Sequence, residues 1–281
     1  MMTLEEAYRF GCKTLEESGV PDAGTDAWIL LEHVTGVSRT RYYVNPKQKL
    51  KEEEQDSYCS YIEKRRSRIP VQHLTGVQEF MGLEFQVNAH VLIPRQDTEI
   101  LVETVLRDLE PGMRILDLCT GSGCILISLM KMMQTEAGED SVCGVGVDIS
   151  REALHVAEEN AKRHKVSAVF VESDLFTDVE GKYDVIVSNP PYIRTAVIEG
   201  LQQEVKLHDP FEALDGKEDG LFFYREIMKK SKEYLKKGGR LYFEIGHDQG
   251  EDVKKLMEEA GFTSVSVKKD LAGLDRVVLG V

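Results

Sequence analysis

The chain has 281 residues, of which 42% are hydrophobic and 30% charged. That is the composition of a folded globular protein, with room for one large domain or two unequal ones at about 100–200 residues per domain. No apolar run reaches the roughly 18 residues a spanning helix needs, so no membrane is expected. Met1–Gly11 is acidic and lacks the apolar stretch of a secretory leader. The five cysteines, Cys12, Cys59, Cys119, Cys124 and Cys143, form no CxxC, and no histidine pair has ligand spacing. Neither a disulfide framework nor a metal site is therefore expected, and the reading is a reduced, cytoplasmic protein. Net charge is −14; residues 1–80 hold 11 basic and 13 acidic side chains, a net of −2, so the remainder carries −12. Phosphate neutralisation demands a basic face, so no direct nucleic-acid partner is expected, the best local patch being Lys64-Arg65-Arg66-Ser67-Arg68.

In chain order, residues 3–69 read as helical. Thr3 and Glu6 have capping-box spacing, and Leu4, Ala7, Tyr8, Cys12 and Leu15 recur on one helical face. Gly19-Val20-Pro21-Asp22 separates this helix from a second, filled by Ala27, Trp28, Leu30, Leu31 and Val34 and ending near Gly36. A third helix is expected from Lys51 to Ile69, closed by Pro70. Residues 1–70 form a small helical bundle without cofactor motifs, expected to recognise a substrate. Around Met81-Gly82 the period changes to strand alternation, so 71–93 read as a β-hairpin linker. Asp97–Leu109 reads as a helix.

Residues 94–281 form the third segment. From Met113 onwards strands are expected at 113–118, 142–147, 168–171, 183–188, 239–245, 263–267 and 277–281. Helices are expected at 123–133, 150–164, 221–235 and 249–260, and Gln134–Ser141 is expected to be a surface loop. Short apolar strands with interleaved helices mean an α/β fold with a mostly parallel, Rossmann-like sheet covered on both faces. The last two strands have no room for a crossover and should pair antiparallel.

Cys119-Thr120-Gly121-Ser122-Gly123 follows the strand Ile115–Leu118 and opens a helix. Such a turn brings a ligand close to the backbone and favours an anion at the helix start. The third glycine of a dinucleotide fingerprint is Leu126, and no GK[ST] follows, so the pattern points away from a pyrophosphate and toward S-adenosylmethionine. Asp148, ending the next strand 25 residues after Gly123, suits ribose hydroxyls. Ser150 is the better cap for the following helix, which leaves Asp148 free. Asp174, at the end of a third strand, can receive an adenine amino group.

Asn189-Pro190-Pro191-Tyr192 follows the strand 183–188. The prolines offer carbonyls without N–H groups, and Pro191 restricts the direction of the Pro190 carbonyl. With the Asn189 side-chain oxygen, this arrangement can hold both hydrogens of a planar NH₂ group while Tyr192 packs on its face. A rigid turn alone would not need Asn and Tyr at those places.

The chain resembles the bacterial release-factor glutamine methyltransferases, the PrmC/HemK group. The resemblance lies in Leu74-Thr75-Gly76, Glu79-Phe80, Leu92-Ile93-Pro94-Arg95-Gln96-Asp97-Thr98-Glu99, the Asp117–Gly123 loop and Ser188–Ile193. It continues in Asp219-Gly220-Leu221 and Asp270–Arg276. It implies a seven-stranded methyltransferase sheet, S-adenosylmethionine, and as substrate the glutamine of the Gly-Gly-Gln motif in class-1 peptide chain release factors. It implies a cofactor loop at Cys119–Gly123, a ribose contact at Asp148, an adenine-side position at Leu175, and Asn189, also facing the cofactor, with Pro190, Pro191 and Tyr192 around the glutamine. Cys119 replaces a usual glycine, Leu175 a common aromatic, and His208-Asp209-Pro210 a more usual Glu-Pro. Two alternatives remain open: a ribosomal-protein glutamine methyltransferase, and a nucleic-acid amino-methyltransferase sharing the Asn-Pro-Pro-Tyr turn. A monomer is expected.

Overall fold

The computed structural model of the chain describes residues 1–138 and 141–281. Packing divides them into two compact units, Met1–Val77 with Gln202–His208, and Gln78–Leu201 with Asp209–Val281.

The first unit is helical: α1 (Leu4–Glu17), α2 (Ala23–Thr35), α3 (Arg39–Val44), α4 (Glu52–Arg66) and α5 (Val71–Thr75). The Thr3 hydroxyl accepts the Glu6 amide and the Glu6 carboxylate accepts the Thr3 amide, so the capping box closes as its spacing predicts. Gly36 ends α2 in the left-handed conformation. Leu15, Ala27, Leu30, Leu31, Tyr58 and Ile62 meet in the core. The expected third helix is shorter than 51–69, and α3 and α5 are additional; Pro70 precedes α5 instead of closing a long helix. Within the basic run at 64–68, Lys64 and Arg66 are exposed, but the other two arginines are committed to internal partners. Arg65 is buried, donating to Asp26 at 2.6 Å and Glu204 at 2.9 Å, and Arg68 reaches the same Glu204 at 2.8 Å.

The second unit opens with the hairpin of β1 (Val77–Phe80) and β2 (Leu83–Gln86). Met81 and Gly82 both have positive φ, 52° and 70°, which a two-residue turn matched to strand twist requires. A 3₁₀ turn (Gln96–Thr98) and α6 (Glu99–Leu106) replace the single helix expected at 97–109. The remaining elements before the long excursion are β3 (Arg114–Leu118), α7 (Cys124–Ala137), β4 (Cys143–Asp148), α8 (Arg151–His164), β5 (Ala168–Glu172) and β6 (Tyr183–Ser188). The short helices α9 (Thr195–Ile198), α10 (Gln203–His208, grouped with the first unit) and α11 (Phe211–Leu214) follow. Then come α12 (Phe222–Tyr234), β7 (Leu235–Glu244), α13 (Gly250–Glu259), β8 (Ser266–Lys269) and β9 (Asp275–Gly280). The loop expected at 134–141 begins later, since α7 continues to Ala137; residues 139 and 140 of that loop lie outside the described residues.

The sheet order is β5-β4-β3-β6-β7-β9-β8. Its first five strands run parallel, while β9 pairs antiparallel with both β7 and β8. This is the expected seven-stranded, mostly parallel sheet. Neighbours on one strand serve opposite faces: Ile115, Val185 and Tyr242 pack with α6 and α7, whereas Leu116, Ile186 and Leu241 pack with α12 and α13. Chain order reverses on the two sides of β3, and crevices at such a switch point, beyond the strands' carboxyl ends, are where open α/β sheets bind ligands. Among the described residues no helix is long and apolar enough to cross a membrane, and no cluster of metal-ligating side chains occurs.

Candidate active site

The carboxyl ends of β3, β4 and β6 are tied together before any ligand is considered. The Thr120 amide donates to Val147 O at 2.9 Å, and the Ser188 hydroxyl to Leu118 O at 2.7 Å. Between them the chain turns sharply, with φ of 59° at Cys119, 54° at Gly121 and 77° at Gly123. Gly121 faces open space: a Cβ there would meet nothing within 4 Å. Gly123 has a different reason. A Cβ would lie 2.8 Å from Ile127 Cδ1 and 3.1 Å from Ala157 Cβ, so its absence lets α7 begin against α8.

Asp148 is less free than its spacing predicts. Ser150 does cap α8, accepting the Ala153 amide at 3.1 Å. The Asp148 carboxylate meanwhile accepts the Gly121 amide at 2.8 Å through Oδ2 and the Ser150 amide at 3.0 Å through Oδ1. Each oxygen keeps acceptor capacity, so Asp148 both shapes the turn and can receive hydroxyls. Burial raises its pKa despite these bonds. Asp117, one strand inward, is fully buried; Oδ2 accepts the Thr120 hydroxyl at 2.6 Å, Oδ1 has no partner, and burial pushes its pKa up to about 7.

A cavity of about 870 Å³ opens over these strand ends, toward the upper end of the roughly 300–1,000 Å³ usual for small-molecule sites. Cys119, Thr120, Gly121, Ser122, Asp148, Leu175 and Asn189 line it, as does Asp174. Gly123 does not, in keeping with its packing role. Of the turn after β6, Asn189 and Pro191 line the cavity; buried Pro190 and half-buried Tyr192 are not among the lining residues. The Tyr192 hydroxyl donates to Glu244 Oε1 at 3.3 Å, and burial pushes its pKa up.

Periodicity and motif spacing did not bring out several lining residues. Val91, Leu92, Arg95 and Thr98 come from the segment after the hairpin, and Phe211, Lys217 and Phe223 from the excursion after β6. Arg95 is held by Asp209 at 2.7 Å, which pins those two segments together. The only signal for the first group was the Leu92–Glu99 motif. Asn160 was also missed: fully buried on α8, it donates to Ser122 O at 2.9 Å and to Gln86 O at 3.1 Å, and accepts the Gln86 amide at 2.7 Å. It fastens the glycine turn to β2.

Residues 6–76 match the family model of the PrmC N-terminal domain, and residues 95–206 that of the methyltransferase small domain. A protein of Clostridium botulinum called release factor glutamine methyltransferase is 40% identical over 99% of this chain and 98% of its own length. The chain belongs to the release factor glutamine methyltransferase family. A Geobacter sulfurreducens relative of the same name is 41% identical over 95% of this chain and 92% of its own. A solved methyltransferase from Pyrococcus furiosus, 18% identical, shares the fold with a TM-score of 0.52 over 78% of this chain and 98% of that one.

Membership makes the chain an S-adenosylmethionine-dependent methyltransferase, and the residues present fit that cofactor. The open face at Gly121 admits a ligand against the backbone, Asp148 is an acceptor-only group matched to ribose hydroxyls, and Leu175 and Val147 offer apolar wall.

Proposed function

We propose that the chain methylates the side-chain amide nitrogen of the glutamine in the Gly-Gly-Gln motif of class-1 peptide chain release factors. The observation that carries this reading is the placement of Asn189 on the wall of the same cavity as Gly121 and Asp148, at the end of the strand beside β3. In this reading an amide-hydrogen acceptor and a cofactor-binding turn share one cavity.

Cys119–Ser122, Asp148 and Leu175 would hold S-adenosylmethionine, which supplies an electrophilic methyl group on a sulfonium. An amide nitrogen is a weak nucleophile because its lone pair is delocalised into the carbonyl. Asn189 Oδ1 and the Pro190 carbonyl would accept its two hydrogens, orienting it and stabilising the positive charge that grows there as the N–C bond forms and the methyl–sulfur bond breaks, leaving a neutral thioether. Fixed dipoles aimed at developing charge are the usual large electrostatic contribution to catalysis, and orientation supplies much of the rest. Deprotonation can follow transfer, so no histidine base is required.

Residues 1–70 serve in this reading as the substrate-recognition domain, because the cofactor-binding residues all lie beyond them. The test is transfer of labelled methyl from S-adenosylmethionine to purified release factor, ribosomal proteins and DNA side by side. Label on the release-factor glutamine alone is expected. Label on a ribosomal protein or on DNA, with none on release factor, would replace this substrate with one of the alternatives.

A further inference from the structure

The Asp219-Gly220-Leu221 motif does not line the cavity, and its neighbours reveal what it serves. A Cβ on Gly220 would lie 2.5 Å from Tyr192 O and 2.7 Å from Gln249 Nε2; one on Gly216 would lie 2.7 Å from Tyr192 C and Cα. Both glycines therefore exist to let their strand of chain press against the backbone of Tyr192. Close by, the Ile193 amide donates to Leu214 O at 3.0 Å and the Gly216 amide to Ile193 O at 2.8 Å.

The hub of this contact is Gln249. It is 2% exposed and sits at the N-terminus of α13, yet its side chain makes no cap. Nε2 donates to Tyr192 O at 3.1 Å and to Gly220 O at 3.2 Å. Oε1 accepts the Gly246 amide at 2.9 Å and the Tyr224 hydroxyl at 3.4 Å. A carboxamide has two donor hydrogens and two acceptor sites, and all four are used. An apolar residue would suffice to fill the space. A buried amide whose every valence is matched specifies one arrangement of the three segments it joins.

We infer that Gln249 is a positioning residue for the Asn189–Tyr192 turn: it holds the Tyr192 carbonyl and Gly220 in one place, and through them sets where the Asn189 and Pro190 oxygens point. Gln249 lies outside the cavity lining, so any effect it has on the cavity is carried through its neighbours. The catalytic part of this inference rests on the function proposed above; the positioning part does not.

Two variants separate the possibilities. Gln249→Met keeps length and volume but removes all four hydrogen bonds. In single-turnover transfer to release factor at saturating cofactor, it is expected to slow the chemical step about 10–100-fold while leaving cofactor affinity within about twofold, the signature of a displaced reacting group. Gln249→Glu keeps the acceptors and recovers one donor only when protonated. Its rate relative to wild type should therefore rise as pH falls from about 8 to 6, a dependence that loss of packing alone does not produce. Thermal melting checks that each variant is folded, and the second serves if the first is not. In parallel, hydrogen exchange without substrate should quicken at Ile193, at Gly216 and at Thr195, whose amide donates to Lys217 O at 3.0 Å, and stay unchanged over 118–123. Unchanged exchange at those three amides, or a transfer rate equal to wild type, overturns the inference. If wild type transfers nothing to release factor, the proposed substrate fails and the exchange result still decides positioning.

Discussion

Asp148 Oδ2 accepts the Gly121 amide at 2.8 Å, joining the end of β4 to the glycine turn after β3. One carboxylate thus shapes the backbone of the turn and, in the function proposed above, also presents acceptors to the cofactor. Asp148→Ala is expected to weaken S-adenosylmethionine binding by roughly 1.5–3 kcal/mol, the value of a hydrogen bond to a charged group. That corresponds to about 10–150-fold in Kd. Asp148→Asn, which keeps one acceptor, should fall between. Titration calorimetry with unchanged affinity for Asp148→Ala would remove this residue from the cofactor site.

Cys119 occupies a left-handed conformation at φ 59°. A side chain there costs about 1–2 kcal/mol relative to glycine, partly offset by the roughly 0.4–1 kcal/mol that glycine loses in unfolded-state entropy. Cys119→Gly should therefore raise stability by up to about 1.6 kcal/mol and preserve cofactor binding. Cys119→Val, β-branched at the same φ, should lower stability by about 1–3 kcal/mol. Denaturant unfolding of the two variants measures both; a stabilising valine would contradict the strain.

Asp117 titrates near 7 when folded because burial disfavours its charge. Its folded pKa lies above the unfolded value of about 3.9, so the folded state binds more protons across that window. Its favourable contribution is complete below about pH 4 and is lost as pH rises through about 7. Asp117→Asn, which cannot ionise, should melt higher than wild type at about pH 8, by up to roughly 4 kcal/mol, with the gap closing toward about pH 4. A difference independent of pH would mean the carboxyl does not titrate in this way.

In the proposed mechanism, Asn189→Ala removes one acceptor from the site of growing charge. Comparable deletions from preorganised sites cost about 10²–10³ in kcat. Asn189→Asp should also be poor, since a carboxylate beside a sulfonium changes the charge of the site. Tyr192→Phe should cost less than Tyr192→Ala if the ring matters more than its bond to Glu244. Single-turnover transfer with saturating cofactor reads all four variants, and a wild-type rate for Asn189→Ala would reduce the turn to a structural feature.

Arg65 neutralises Asp26 and Glu204 inside the helical unit. Arg65→Met should destabilise that unit by about 3–5 kcal/mol, because Asp26 is left buried without its cation. Adding Asp26→Leu should recover most of the loss, since two apolar residues need no partner. Thermal melting of the single and double variants distinguishes a buried pair from a solvent-facing basic patch, which would show almost no change.

Local chemistry was legible in the sequence wherever it acts within a few residues. The Thr3–Glu6 box, the Gly36 terminus, the Met81-Gly82 turn and the Ser150 cap satisfy backbone groups one helical turn or one hairpin away, so spacing alone identifies them. The strand–helix alternation and the Cys119–Gly123 and Asn189–Tyr192 turns were equally legible, because each carries its own conformational demand. The short helices α3, α5 and α9–α11 were not; four to six residues are too few to show a period.

Long-range pairing was decided only by the tertiary structure. Arg65 reads as part of an exposed basic run until Asp26 and Glu204, 39 and 139 residues away, are folded onto it. Asp148 reads as free until Gly121, 27 residues earlier, donates to it. Gln249 has no local signature at all, for its partners lie at Tyr192, Gly220, Tyr224 and Gly246. Burying a polar group is tolerable only when its partners arrive with it. The sequence by itself determined the sheet strands, the long helices and the Cys119–Gly123 and Asn189–Tyr192 turns, through periodicity and backbone restriction. Which buried side chains hold those turns in register was set by sheet order and packing, because those bring distant partners within hydrogen-bonding distance.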